Sequence, residues 1–264
     1  MEAIMRKVFV NIPFTMLWET YLDVFIHYGL NPEIGMDYKA LNNFSMADFK
    51  KAAHRLEEHH LRVTFHGPFM DLSPGSIDGD IRAVTRKRFE QLLRLIPVFK
   101  PQTIVCHAGY DRRHYSWYRE EWIEATLDMW TWFADRVNDA GSRLMLENVY
   151  EDGPEDIEAL FEELAPHKVG FCFDIGHHVV FGKASMDSWL DSLGPYLGQV
   201  HLHDNRGDWD DHLALGLGTI DFAPFWAFLK ESKRPLPVIT LEPHEEEDLW
   251  PSFTELEKTG LFNH

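Results

Sequence analysis

Two hydrophobic periodicities alternate along the chain, and they do so eight times. Short apolar runs with strand character fall at residues 8–14, 33–36, 63–66, 103–107, 144–149, 169–173, 200–202 and 238–241. Between them lie amphipathic stretches whose apolar positions recur at helical spacing, at 18–28, 47–60, 80–100, 118–140, 154–164, 185–197, 222–231 and 246–258. The punctuation agrees: Ser45 and Ser185 stand where N-caps belong, and Gly141 stands where a helix should stop. Acidic residues 245–248 precede the last helix, whose N-terminus favours negative charge. Strands that alternate with helices imply parallel βαβ units, and eight of them predict one closed (β/α)8 TIM barrel over residues 1–264. A doubly wound open sheet is the rival, but no G-x-G-x-x-G follows the first strand. The run near Pro32 is the weakest of the eight. Trp122, Trp130 and Trp132 recur at helical spacing and are expected in the outer layer of the core.

In such a barrel the chemistry sits at the C-terminal ends of the strands. Potential ligands fall there repeatedly: His66 in H-G-P-F, His107 in H-A-G, Glu147 in L-E-N-V, and Asp174 with His177 in D-I-G-H. His201 follows in H-L-H-D-N, its loop carries Asp210 and His212, and Glu242 ends the last strand in T-L-E-P. A lone histidine or carboxylate at a strand end is usually structural. Here six consecutive strands deliver ligand-type residues to one face, and four carboxylates crowded together without cations repel one another. One to three divalent ions would remove that cost. With no thiolate on the rim, zinc, manganese, magnesium, cobalt and iron all remain open. His203 shares strand parity with His201 and is the alternative ligand if the register differs by two. His178 reads as a packing residue, and His54, His59 and His60 as surface.

Composition narrows the partners. The 264 residues carry 43 acidic and 25 basic side chains, for a net charge of −18. That surface repels a phosphate backbone unless metal ions or a local basic groove reverse the field, so nucleic acid is disfavoured as a partner. Arg112, Arg113, His114 and Trp117 form the one notable basic-aromatic group, whose plainer reading is a solvated loop. No apolar stretch reaches membrane-spanning length and residues 1–7 lack a signal core, which predicts a cytoplasmic protein. Cys106 and Cys172 sit in apolar runs as buried thiols. No stretch specifies an oligomer.

The motifs H-G-P-F-M-D-L-S-P-G-S-I-D, L-E-N-V, D-I-G-H, H-L-H-D-N and H-L-A-L-G-L-G-T-I-D-F resemble those of the xylose isomerase-like TIM-barrel superfamily over about residues 60–245. That group includes sugar and sugar-phosphate isomerases and epimerases, and the endonuclease IV type of apurinic-site nuclease. The epimerase branch implies one divalent metal held by Glu147, Asp174, His201 and Glu242, with Glu147 and Glu242 also moving protons. It implies substrate contacts from His177 and Arg206, with Phe69 and Trp117 as further candidates. The nuclease branch implies three zinc ions on His66, His107, Glu147, Asp174, His177, His201, Asp210, His212 and Glu242, all present here. Phe69 and Met70 serve either branch, as a DNA wedge or as a sugar-pocket wall. Leu217 departs from the family's L-G-E-G and puts a polar contact in doubt. The expectation is a metal-dependent isomerase or epimerase acting on a small sugar or sugar phosphate, with a three-metal phosphodiesterase as runner-up.

Overall fold

Parallel pairing joins Phe9–Pro13 (β1) to Asn31–Gly35 (β2), and Phe9 and Val10 to Val238–Leu241 (β8). Between β2 and β8 the sheet runs through Thr64–His66 (β3), Thr103–His107 (β4), Arg143–Glu147 (β5), Gly170–Asp174 (β6) and Leu197–Leu202 (β7). Each strand pairs with its sequence neighbour, so the sheet closes into a single eight-stranded TIM barrel wrapped by helices. The structure, a computed structural model, describes residues 2–262.

Strand alternation divides the core. Ile104, Cys106, Leu144 and Leu146 pack with Trp122, Trp130 and Phe133 of the helix Arg119–Asp139 in the layer between barrel and helices, and Trp132 lies against its edge. Val105, Met145 and Cys172 form a separate small cluster inside the barrel. Above and beside them the interior is polar, and that polarity builds the site.

The expected caps are present. Ser45 closes a capping box with Asp48 on Met46–Glu58, Ser185 accepts from the Ser188 N–H, and Gly141 follows a helix end at φ +85°. Three helical stretches differ from expectation. Residues 14–28 form one continuous run that starts at Phe14, with a π turn at Leu17–Tyr21. Residues 80–100 divide into Gly79–Leu93 and Ile96–Phe99, because Pro97 lacks the N–H that a continuous helix needs. Residues 185–197 end at Leu193, where Gly194 and Pro195 turn the chain and Leu197 opens β7. Glu2–Met5, Tyr38–Asn43, Arg112–Tyr115 and Ile175–Phe181 are short helices outside the expected stretches; Asp37 and Asp174 cap the second and the fourth. The weak second run is a full strand despite Pro32, anchored by Asn31 side-chain bonds to the Arg6 and Val8 carbonyls. No helix among the described residues is long and apolar enough to cross a membrane.

Candidate metal centre

The C-terminal ends of β3 to β8 converge on Glu147, which is buried on the barrel axis. Its Oε2 lies 3.2 Å from His66 Nε2 and 3.8 Å from His107 Nε2. Its Oε1 lies 3.3 Å from both His201 Nδ1 and His177 Nδ1. His201 Nδ1 also stands 3.2 Å from Glu242 Oε1 and 3.9 Å from Asp174 Oδ2. On the far side, Asp210 Oδ2 sits 3.4 Å from His177 Nε2 and 3.2 Å from His212 Nε2. Potential ligand atoms of His66, His107 and Glu147, of Glu147, Asp174 and His201, and of His177, His203, Asp210 and His212 therefore fall into adjoining groups, each within 4.8 Å.

Backbone carbonyls set the histidine rings. The Nδ1–H of His66 donates to the Gly67 carbonyl at 3.0 Å, and that of His212 to the Glu242 carbonyl at 2.8 Å. His177 Nδ1 does the same to the Asn148 carbonyl at 3.1 Å. With Nδ1 committed as donor, each ring turns Nε2 inward, the nitrogen that a bound metal would take. His177 is placed by the turn at the end of β6: Asp174 Oδ1 accepts its backbone N–H at 2.7 Å and so starts the helix Ile175–Phe181.

The donor set fits a cation. His201 Nδ1, Asp174 Oδ2 and Asp210 Oδ1 are buried with no hydrogen-bond partner among the described residues, and buried polar atoms are rarely left so. The first two face each other across the Glu147 group. Oxygen and imidazole donors in such mixture suit divalent transition metals and zinc.

The electrostatics divide the carboxylates. Burial alone would raise the pKa of Glu147, but His201, His177 and His66 outweigh it and hold the group well below the usual range. Glu242 goes the other way, because burial and the repulsion of Asp174 and Glu147 exceed the attraction of His201. Burial opposes the charged forms of His177 and His201, yet Asp174, Asp210 and Glu147 raise His177, and Cys172 with Glu242, Glu33 and Glu147 raises His201, both well above the ordinary value. His212 rises to about 9 against its own burial, through Asp210 and Glu242. His107, most affected by burial, falls to about 3.

A cleft of about 1080 Å³ opens above this group. Phe69 and Met70 line one wall, and Phe69 stacks on His107 with ring centroids 4.4 Å apart. Tyr38, Tyr150 and Phe181 line others, and Glu245, Glu246 and Glu247 stand along the rim. His177 lines the cleft, whereas Arg206 and Trp117 do not. Arg206 is exposed and lies 3.7 Å from Asp211, and Trp117 is 91% exposed. The Leu217 side chain is exposed as well.

Glu33, His244 and Asn148 belong to the site without having been singled out by their sequence context, whereas His203 was the register alternative to His201. Glu33 is buried beneath His201. His203, the register alternative, turns its Nε2 to Asp174 Oδ1 at 3.2 Å and stacks on His212 at 3.8 Å. His244 stacks on the other face of His212, and Asn148 bridges β5 to the Asp174 backbone. A charged or amide side chain inside an otherwise apolar run was the one available signal, in N-P-E-I-G and L-E-N-V.

Comparison with known proteins places this geometry. Residues 30–257 match the profile of a family described as the xylose isomerase-like TIM barrel. The TTHB071 protein from Thermus thermophilus, in a structure soaked with ZnCl2, superposes with TM-score 0.82 at 26% identity over 96% of this chain and 97% of its own. A D-tagatose 3-epimerase-like protein superposes with TM-score 0.78 at 24% identity, over 96% of each chain. MJ1311 of Methanocaldococcus jannaschii is 28% identical over 66% of this chain, a match that spans only 62% of its own length.

Proposed function

Because this chain belongs to the xylose isomerase-like TIM-barrel family, we propose that it is a divalent-metal-dependent isomerase or epimerase of a small sugar or sugar phosphate. One observation carries the reading: Glu147 and Glu242 both approach His201 Nδ1, at 3.3 Å and 3.2 Å, and both line the open cleft. Proton transfer at a carbon beside a carbonyl needs such a pair, one group to take the proton and one to return it. The residues suited to hold the ion are Glu147, Asp174 and His201, joined by Glu242 through its 3.2 Å approach to His201 Nδ1, with the remaining rim histidines and Asp210 available for further ions. When bound, the metal supplies polarisation of the sugar's carbonyl and hydroxyl, which acidifies the neighbouring C–H.

In this reading Glu147 removes the proton and Glu242 returns one. His107 and Phe69 form the wall against which a sugar ring or chain rests, and His177 offers an imidazole to a hydroxyl. The three glutamates 245–247 along the rim repel a polyanion and tolerate a neutral polyol, in keeping with the net charge of −18. The similarity to a D-tagatose 3-epimerase-like protein supports a ketose.

The test is solvent exchange. Protein loaded with manganese, cobalt or zinc is incubated with ketoses in D2O, and deuterium at the carbon next to the carbonyl is followed by NMR. Glu147→Gln is expected to reduce exchange by at least about 100-fold while sugar binding survives; exchange at the wild-type rate would remove the acid–base assignment.

A second reading rests on His66, His107, Glu147, Asp174, His177, His201, Asp210, His212 and Glu242, nine residues that suit a three-metal phosphodiesterase. It predicts about three zinc ions per chain and salt-sensitive binding to abasic duplex DNA. One ion per chain with no DNA binding at low salt would dismiss it.

A further inference from the structure

We infer that Glu33, on β2 beneath the centre, is a positioning residue that fixes the ring orientation and metal-bound tautomer of His201. The inference rests on the metal-dependent reading above and adds to it a residue outside the rim.

Glu33 is fully buried, and so is His201. Glu33 Oε1 lies 2.9 Å from His201 Nε2, and Asn11 Nδ2 donates to the same oxygen at 3.2 Å. The other oxygen accepts from Thr64 Oγ1 at 3.0 Å, from Thr240 Oγ1 at 3.1 Å and from Gln199 Nε2. Five donors from β1, β3, β7 and β8 thus surround one carboxylate. Glu33, His201 and Glu242 offer ligand atoms within 4.8 Å of one another, but both Glu33 oxygens are engaged by these donors, which stabilises the ionised form and disfavours Glu33 as a ligand.

Its consequence falls on His201. An imidazole that donates Nε2–H to a fixed carboxylate keeps its Nδ1 lone pair free, and Nδ1 is the buried atom that faces Glu147, Glu242 and Asp174 without a hydrogen-bond partner. For His66, His177 and His212 backbone carbonyls set the ring; for His201 a side chain does so, and its ring is inverted, with Nδ1 as the inward atom. The carboxylate also makes the imidazole a stronger donor to a metal than a carbonyl partner would. A neutral residue at position 33 would leave Nε2–H without its charged acceptor and weaken the hold on the ring's tautomer.

The experiment measures zinc affinity by chelator competition for wild type, Glu33→Gln and Glu33→Ala, with the thermal midpoint of the chelated proteins as a fold control. Glu33→Gln keeps the shape and removes the charge. It is expected to weaken binding at the His201-containing position by about 10- to 100-fold, with a smaller change in the midpoint of the chelated protein. In zinc-loaded wild type, the His201 imidazole should show a proton on Nε2 and none on Nδ1 by 15N NMR. Equal affinity in wild type and Glu33→Gln, or a proton on Nδ1 of the zinc-loaded wild type, overturns the inference and leaves the metal reading standing. Failure of wild type to bind zinc overturns both. If neither variant folds, the NMR result on wild type decides.

Discussion

The backbone N–H of Gly218 donates to Asp204 Oδ2 over 2.9 Å, and a Cβ at position 218 would run into that same carboxylate. Asp204 also accepts from Gly216 at 3.0 Å, Ile220 at 3.1 Å and its neighbour Asn205 at 2.8 Å. Four N–H groups on one buried carboxylate explain why H-L-H-D-N and L-G-L-G-T-I-D-F occur together: the aspartate folds the glycine loop that follows the Asp210–His212 segment. Asp204→Asn replaces one acceptor oxygen with a donor and is expected to destabilise by about 2–4 kcal/mol. Gly218→Ala is expected to do the same by steric clash. Urea denaturation measures both; a loss under about 0.5 kcal/mol in each would remove the loop-folding role of Asp204.

His203 donates to Asp174 Oδ1 and leaves Oδ2 for the centre. His203→Phe keeps the stack on His212 and deletes that bond. The expected result is a folded protein with zinc affinity reduced by about 10-fold, read by chelator competition. Affinity equal to wild type would reduce His203 to a packing residue.

Burial pushes the Glu151 carboxyl up to about 7, even though it accepts the N–H groups of Val149 and Tyr110. The folded protein therefore holds its proton more tightly than the unfolded chain does. The contribution to stability is complete below the ordinary value of 4.5 and is lost as pH rises through about 7. Between pH 5 and 8 wild type is expected to lose roughly 2–3 kcal/mol more than Glu151→Gln. Urea denaturation of the two proteins across that range gives the difference, and parallel pH curves would contradict it.

Metal removal should lower stability. An ion that binds only the folded chain stabilises it by about 4 kcal/mol when present at a thousand times its dissociation constant. Chelation is expected to lower the thermal midpoint by several degrees, and zinc or manganese to restore it. A midpoint unmoved by chelation and refilling would count against the centre.

The alternation of apolar runs specified the closed barrel, because strand and helix periods are local properties of the chain. Position at the C-terminal ends of the strands specified that His66, His107, Glu147, Asp174, His201 and Glu242 arrive on one rim, while parity left His203 open as the alternative to His201. Tertiary structure decided the rest. The tautomers of His66, His177 and His212 depend on backbone carbonyls that no sequence pattern displays. Glu33 meets Thr240 across 207 residues and His201 through the closed barrel interior, so its role exists only once β2, β7 and β8 share a register. Arg206 and Trp117 carry suitable chemistry, yet their loops lead them away from the cleft, because residue type fixes what a side chain can do and only packing fixes where it does it.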